Sequence, residues 1–219
     1  MIKKITILSR NILAALFLSL MSFASIVQAD ELKALPAGEY ALDLSHASIV
    51  WKVSHMGFST YVGRFTDFAA DLNLDTQDFT NSTVSVEIDV SSIATEYPWI
   101  EKEDFDETVA NDWLKSEDNP EIKFVSHKVS ELNAGKASIG GELTINGITR
   151  PVTLAITLNR AVISHPFKRV PAIGFSATAT IDRTEWEVSK LAQIVGTDVA
   201  IEIEGEFIFS GNLPAGDSQ

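Results

Sequence analysis

Four histidines (His46, His55, His127 and His165) are the side chains of this sequence that titrate near neutrality, and no cysteine accompanies them. A metal site wants its ligands clustered, and none of these histidines forms a short pair. His46 and His55 stand nine residues apart across one extended segment, which puts them at its opposite ends rather than around one ion. The sequence has no Gly-x-Ser-x-Gly elbow, His-Glu-x-x-His helix, phosphate-cradling Gly-Lys-Ser/Thr loop or dinucleotide fingerprint. Without thiols, cysteine nucleophiles, thiolate zinc and iron–sulfur ligation are excluded. Glu202, Glu204 and Glu206 share one parity of an extended run, so they form a water-facing row rather than an acid–base dyad.

The chemistry that remains is binding. Trp51, His55, Phe58, Phe65, Phe175 and Trp186 fall in the two segments richest in aromatic residues. Taken singly, an aromatic in a strand is core packing more often than ligand contact. As a set they can wall a cavity for an apolar ligand, with a few polar groups orienting its head. His55, at the end of an inward-facing run, and Arg64, after Gly63, are the candidates for that polar role. Arg64 and Arg183 also have a structural alternative, pairing with Asp67 or Asp182.

These residues must be positioned by strands. Ile49, Trp51, Val53 and His55 alternate with Lys52 and Ser54. The same period of two runs through Phe68–Leu74, Val84–Val90, Ile139–Ile145, Val152–Leu158, Ile173–Ile181 and Val199–Phe209. Leu143 lies on the apolar parity of the run from Ile139, and Phe175 and Ala177 on that of the run from Ile173. Short runs at Leu42–Asp43 and Ile122–Val129 bring the count to about eight or nine strands. Asn146-Gly147 between two runs is a hairpin turn, because both residues tolerate positive φ. Many strands with short turns indicate a sandwich or a closed barrel. Phe105, Val109 and Trp113, spaced by four, predict a short helix within 97–119. Nine acids and two bases between Glu101 and Glu121 give that helix an acidic outer face, which reads as a solvated cap or as a lid over a cavity.

The chain has 219 residues, with 17 Lys and Arg against 30 Asp and Glu. That length suits one domain, and 45% hydrophobic residues suffice for a packed core. The net charge of -13 argues against a nucleic-acid partner. Lys3, Lys4 and Arg10 precede an apolar run from Ile12 to Val27, and Val27-Gln28-Ala29 places small residues before Asp30. This is the layout of a signal peptide over residues 1–29, with cleavage expected after Ala29 and export to a bacterial periplasm. The mature chain, 30–219, would carry 14 bases and 30 acids, or -16.

Ser48-Ile-Val-Trp-Lys-Val-Ser-His-Met-Gly-Phe-Ser59, with Val62-Gly-Arg-Phe65, resembles the opening of the YceI-like, polyisoprenoid-binding domain. Gly141-Glu-Leu-Thr-Ile-Asn-Gly-Ile-Thr-Arg-Pro-Val-Thr-Leu154 resembles its central hairpin, Gly174-Phe-Ser-Ala-Thr-Ala-Thr-Ile-Asp-Arg-Thr-Glu-Trp186 its late strand and turn, and 199–207 its closing strand. The blocks follow the family's order from about Tyr40 to Phe209. One stretch departs from it: Tyr97-Pro-Trp-Ile-Glu-Lys-Glu-Asp-Phe105 is acidic where the family commonly carries an Arg-Asp-x-His-Leu-like stretch. The resemblance implies an all-β fold, an extended antiparallel eight-stranded β-barrel of lipocalin type, with a short helical segment near residues 101–116. It implies a tunnel holding an isoprenoid, a quinone-like lipid or another amphiphile. Trp51, Val53, His55, Phe58, Arg64, Phe65, Leu143, Phe175, Ala177 and Trp186 are the expected ligand-binding residues. It further implies a frequently dimeric periplasmic protein, with membrane proteins as transient donor or acceptor, and no established reaction or cofactor. An enzyme acting on a lipid and a stress-related scaffold with a filled core are the alternatives.

Overall fold

Alternating apolar and polar residues become strand segments that pair antiparallel throughout. They are β1 (Gly38–Leu42), β2 (Ser48–His55), β3 (Ser59–Phe65), β4 (Phe68–Leu74), β5 (Thr83–Asp89), β6 (Ile93–Ala94), β7 (Glu121–Val129), β8 (Lys136–Ile145), β9 (Ile148–Val162), β10 (Ala172–Asp182) and β11 (Val195–Phe209). A computed structural model describes residues 31–211. The leader expected over residues 1–29, with its cleavage after Ala29, lies outside the described residues.

The segments make eight staves. β11 pairs first with β1, from Tyr40↔Phe209 to Leu42↔Phe207, and then with β2, from Ser48↔Glu204 to His55↔Val195. β1 and β2 are therefore one long strand, broken at residues 43–47. β4 pairs β1 while β3 pairs β2, so β3 and β4 form the next stave. β5 on β4 and β6 on β3 make the third. β7, β8, β9, β10 and β11 complete the ring, and the β1–β11 pairing closes it. Closure leaves each stave a neighbour on both sides, which removes the exposed edges of an open sheet.

The breaks have a local cause. Asp43 accepts from the Ser45 amide at 3.2 Å and Asp89 from the Ser91 amide at 2.8 Å, each starting a single 3₁₀ turn. Asp78 does the same for Thr80 at 3.0 Å and Asp182 for Thr184 at 2.9 Å. An aspartate whose side chain captures the amide two residues on offers the backbone an alternative to the ladder. Thr66 bonds across to the Ser92 carbonyl at 3.1 Å, so neighbouring staves bend together.

The hydrophobic core lies in two groups, one towards each end. At one end Leu32, Leu35, Tyr40, Leu158, Ile173 and Phe209 are buried together, and the Tyr40 hydroxyl donates to the Pro36 carbonyl at 2.8 Å. Burial pushes the Tyr40 phenol above its usual pKa, so it stays a donor. The other end carries the expected helix, α1 (Phe105–Thr108), which runs on as one π turn, Val109–Trp113. Asp104 caps it by accepting from the Glu107 amide at 3.0 Å, and Asp106 accepts from Thr95. Some acids of this stretch thus hold the helix in place rather than only solvating it.

Candidate functional site

Inward parity in a closed barrel delivers side chains to the lumen, and here they do not fill it. A chamber of about 440 Å³ occupies the half of the barrel next to α1. A second, of about 140 Å³, lies towards Leu32 and Phe207. Ile49, Val86, Phe124, Leu154 and Ile203 line both, so the chambers are stacked along one lumen. Native interiors ordinarily pack without such space. The larger chamber falls within the range of small-molecule sites, roughly 300–1,000 Å³.

The walls of the outer chamber are built by period two. Trp51, Val53 and His55 face inward from β2, while Lys52 points out and meets Glu202 of β11 at 2.7 Å. Phe65 of β3 and Leu143 of β8 line the same chamber, and Phe175 and Ala177 of β10 line the inner one. An aromatic train extends from Trp51, stacked on Tyr61 at 6.1 Å, through Phe105 at 6.2 Å to Trp113 and Tyr97 at 5.8 and 5.3 Å. Phe105, Val109 and Trp113 thus roof the chamber with the apolar stripe of α1 and its π turn. Leu191 both lines the chamber and is half exposed, so the chamber reaches the surface there, beside His55 and Tyr97. The Trp51 indole nitrogen is buried without an acceptor among the described residues. A buried N–H left unmatched is costly, and a ligand oxygen would satisfy it.

Three of the expected residues lie elsewhere. Phe58 sits at the tip of the β2–β3 turn and is 89% exposed, because Met56 and Gly57 turn the chain before it with φ of 52° and 73°. Arg64 has the outward parity of β3, opposite Val50, and its guanidinium pairs with Glu96 rather than Asp67. Trp186 is 1% exposed but packs in the core at the α1 end. Its indole donates to the Leu143 carbonyl at 3.1 Å, and its own carbonyl accepts from Asn146 at 3.1 Å. It plugs this end of the barrel instead of facing the lumen.

Other lining residues were not expected. Tyr61 shares the inward parity of Phe65, which Gly63 between them obscures as an apolar run. Arg183 is buried at the chamber wall and donates to the carbonyls of Val188, Val195 (3.3 Å) and Gly196 (3.0 Å). Desolvation draws its guanidinium below the usual pKa, with Asp182 opposing. Its donors tie down the β10–β11 loop, while Asp182 bonds Thr184, at 2.9 Å from the amide and 2.6 Å from the hydroxyl. One grouping outside the lumen, Asp43, His46 and Glu206, brings ligand-type atoms within 4.8 Å of one another. The Lys168 ammonium already sits on Asp43, and His165 lies 2.9 Å from Glu206. This reads as an ion-pair clip.

Comparison with known proteins agrees with the architecture. Residues 40–207 match the YceI-like domain. A UPF0312 protein of Vibrio parahaemolyticus is 30% identical over 178 residues, covering 78% of this chain and 91% of its own. The crystal structure of BcnA from Burkholderia cenocepacia superposes with a TM-score of 0.65 at 22% identity, over 75% of this chain and 98% of its own. A polyisoprenoid binding domain from Saccharophagus degradans superposes at 0.55 with 10% identity, over 77% of this chain and 97% of its own.

Proposed function

Because this chain belongs to the YceI-like family, we propose that it is a binding protein that encloses the tail of an isoprenoid or similar amphiphilic lipid in its barrel and carries it through the periplasm. The observation that carries this reading is the lumen itself: two stacked apolar chambers in a closed barrel, reaching the surface beside Leu191. Each buried methylene contributes roughly 0.8 kcal/mol, so a polyprenyl tail gains far more from such a lumen than from water. The free Trp51 N–H suits a ligand with an acceptor oxygen, as a quinone-like lipid has. The Saccharophagus protein, described as polyisoprenoid binding, supports the same ligand class. Export rests on the basic and apolar leader before Asp30.

Catalysis on the lipid comes second, because among the described residues the outer chamber's lining sets no serine, threonine or carboxylate beside His55. Native mass spectrometry of the protein from the periplasmic fraction of its host tests the proposal. A lipid-sized adduct that organic solvent removes is the expected result. Protein of bare mass that also fails to take up a fluorescent polyene fatty acid would refute it.

A further inference from the structure

The loops at the α1 end expose apolar residues where the rest of the chain is acidic. Phe58 and Met56 project from the β2–β3 turn, Trp99 and Ile100 from the segment before α1, and Leu191 and Ile194 from the β10–β11 loop. Each is about half exposed or more, with Ile100 at 64%. They belong to one rim. His55 pairs with Val195, joining the first and third loops. Trp99 packs edge-on against Tyr97 at 5.6 Å, and Tyr97, His55 and Leu191 all line the outer chamber. The apolar tips therefore surround the place where the lumen reaches the surface.

Charge sets this rim apart as well. The chain has 30 acids, yet none lies between residues 44 and 66 or between 188 and 197, the stretches that carry two of the three tips. The charges there are basic: Lys190, together with Lys52 and Arg64, which pair with Glu202 and Glu96. At the third tip the Lys102 ammonium lies 5.1 Å from the Trp99 ring centre.

We infer that this rim docks on a lipid bilayer, its tips entering the boundary between headgroups and acyl chains. The inference rests on the lipid-binding reading for the direction of traffic: a tail moving between bilayer and lumen then never crosses water. A tryptophan beside a lysine suits an interfacial anchor. Two of the tips carry no acid for an anionic leaflet to repel, while the third, followed by Glu101, Glu103 and Asp104, relies on its apolar side chains. A second copy placed mouth to mouth would instead seal the opening.

Flotation of the exported protein with vesicles of phosphatidylcholine, and of phosphatidylethanolamine with phosphatidylglycerol at 3:1, tests this. The wild type should float with both, and should still float in 0.5 M salt because insertion is apolar. Ile100→Asp with Ile194→Asp should cut the partition coefficient at least tenfold. Phe167→Asp, at a still more exposed site on the β9–β10 loop, should leave it unchanged. Uptake of the fluorescent polyene fatty acid, measured without vesicles, should survive in the double variant. A wild type that does not float overturns the inference, as does equal flotation of the double variant or a wild-type dimer that the double substitution dissociates. Flotation without uptake would leave the rim standing and defeat the lipid-binding reading instead.

Discussion

Gly63 shows how one residue sets the shape of the lumen. A β-carbon built there would lie 2.2 Å from the Trp51 ring, because the indole lies across the β3 backbone at that point. Gly63→Ala must push the ring towards Tyr61 or into the outer chamber. Overpacking of this kind costs typically about 1–3 kcal/mol. Thermal melts should show that loss, and tail binding should weaken with it as the chamber narrows. An unchanged Tm with unchanged affinity would mean that the indole is not held over Gly63. The inward parity of Trp51, Val53 and His55 was legible in the sequence because alternation there is strict. The positions of Arg64 and Phe58 were not. Arg64 needed the register of β3 against β2, and Phe58 needed the geometry of the turn. Asn146 was legible only in part: its positive φ was readable beside Gly147, while its bond to the Trp186 carbonyl joins residues 40 apart in the chain.

The elements show the same division between local and long-range information. Seven apolar runs read from alternation became strands, yet β3 and β6 were not read. Serine, threonine and glycine dilute the pattern of β3, and β6 is two residues long. The helix was legible from residues spaced by four, but its second half is a π turn that spacing does not reveal. The breaks in the staves have a chemistry that can be tested. Asp43, at the β1–β2 break, receives Lys168 from the β9–β10 loop, then His46 and Ser45, and these hold its carboxyl well below the usual carboxylate range. An unfolded Asp titrates near 4, about where the sign of the effect is decided. Below that pH the unfolded chain takes up a proton that folded Asp43 still refuses, so this part of the stability is present above about pH 4 and is lost as pH falls towards the folded value. Asp43→Asn should therefore flatten the decline in Tm on the acid side of pH 4, and should lower Tm near pH 7. The same acid-side slope in variant and wild type would show that the clip contributes nothing.

At the scale of the whole molecule, the question is whether the lumen is a tunnel or a loosely filled core. The sequence could count the strands but could not separate a sandwich from a barrel, since closure depends on the pairing of β1 with β11 across more than 160 residues. The two chambers share walls but differ in what they can admit. A tail that stops in the outer chamber meets Trp51, Phe65 and Leu143, whereas only a longer one reaches Phe175 and Ala177. Ala177 faces the 140 Å³ inner chamber from the middle of β10, paired with Ile156 and Ile203. Ala177→Trp should fill that chamber and shorten the lumen. Space that is empty without ligand tolerates added volume, so Tm should stay close to the wild type. Binding should then depend on chain length. Short fatty acids, confined to the outer chamber, should keep their affinity, while long polyprenyl chains should lose it, since each methylene denied burial forfeits roughly 0.8 kcal/mol. Titrating a homologous series of tails into both proteins reads this directly. A filled core predicts the opposite pattern: a cost of about 1–3 kcal/mol in stability, and no chain-length preference in either protein for the substitution to remove.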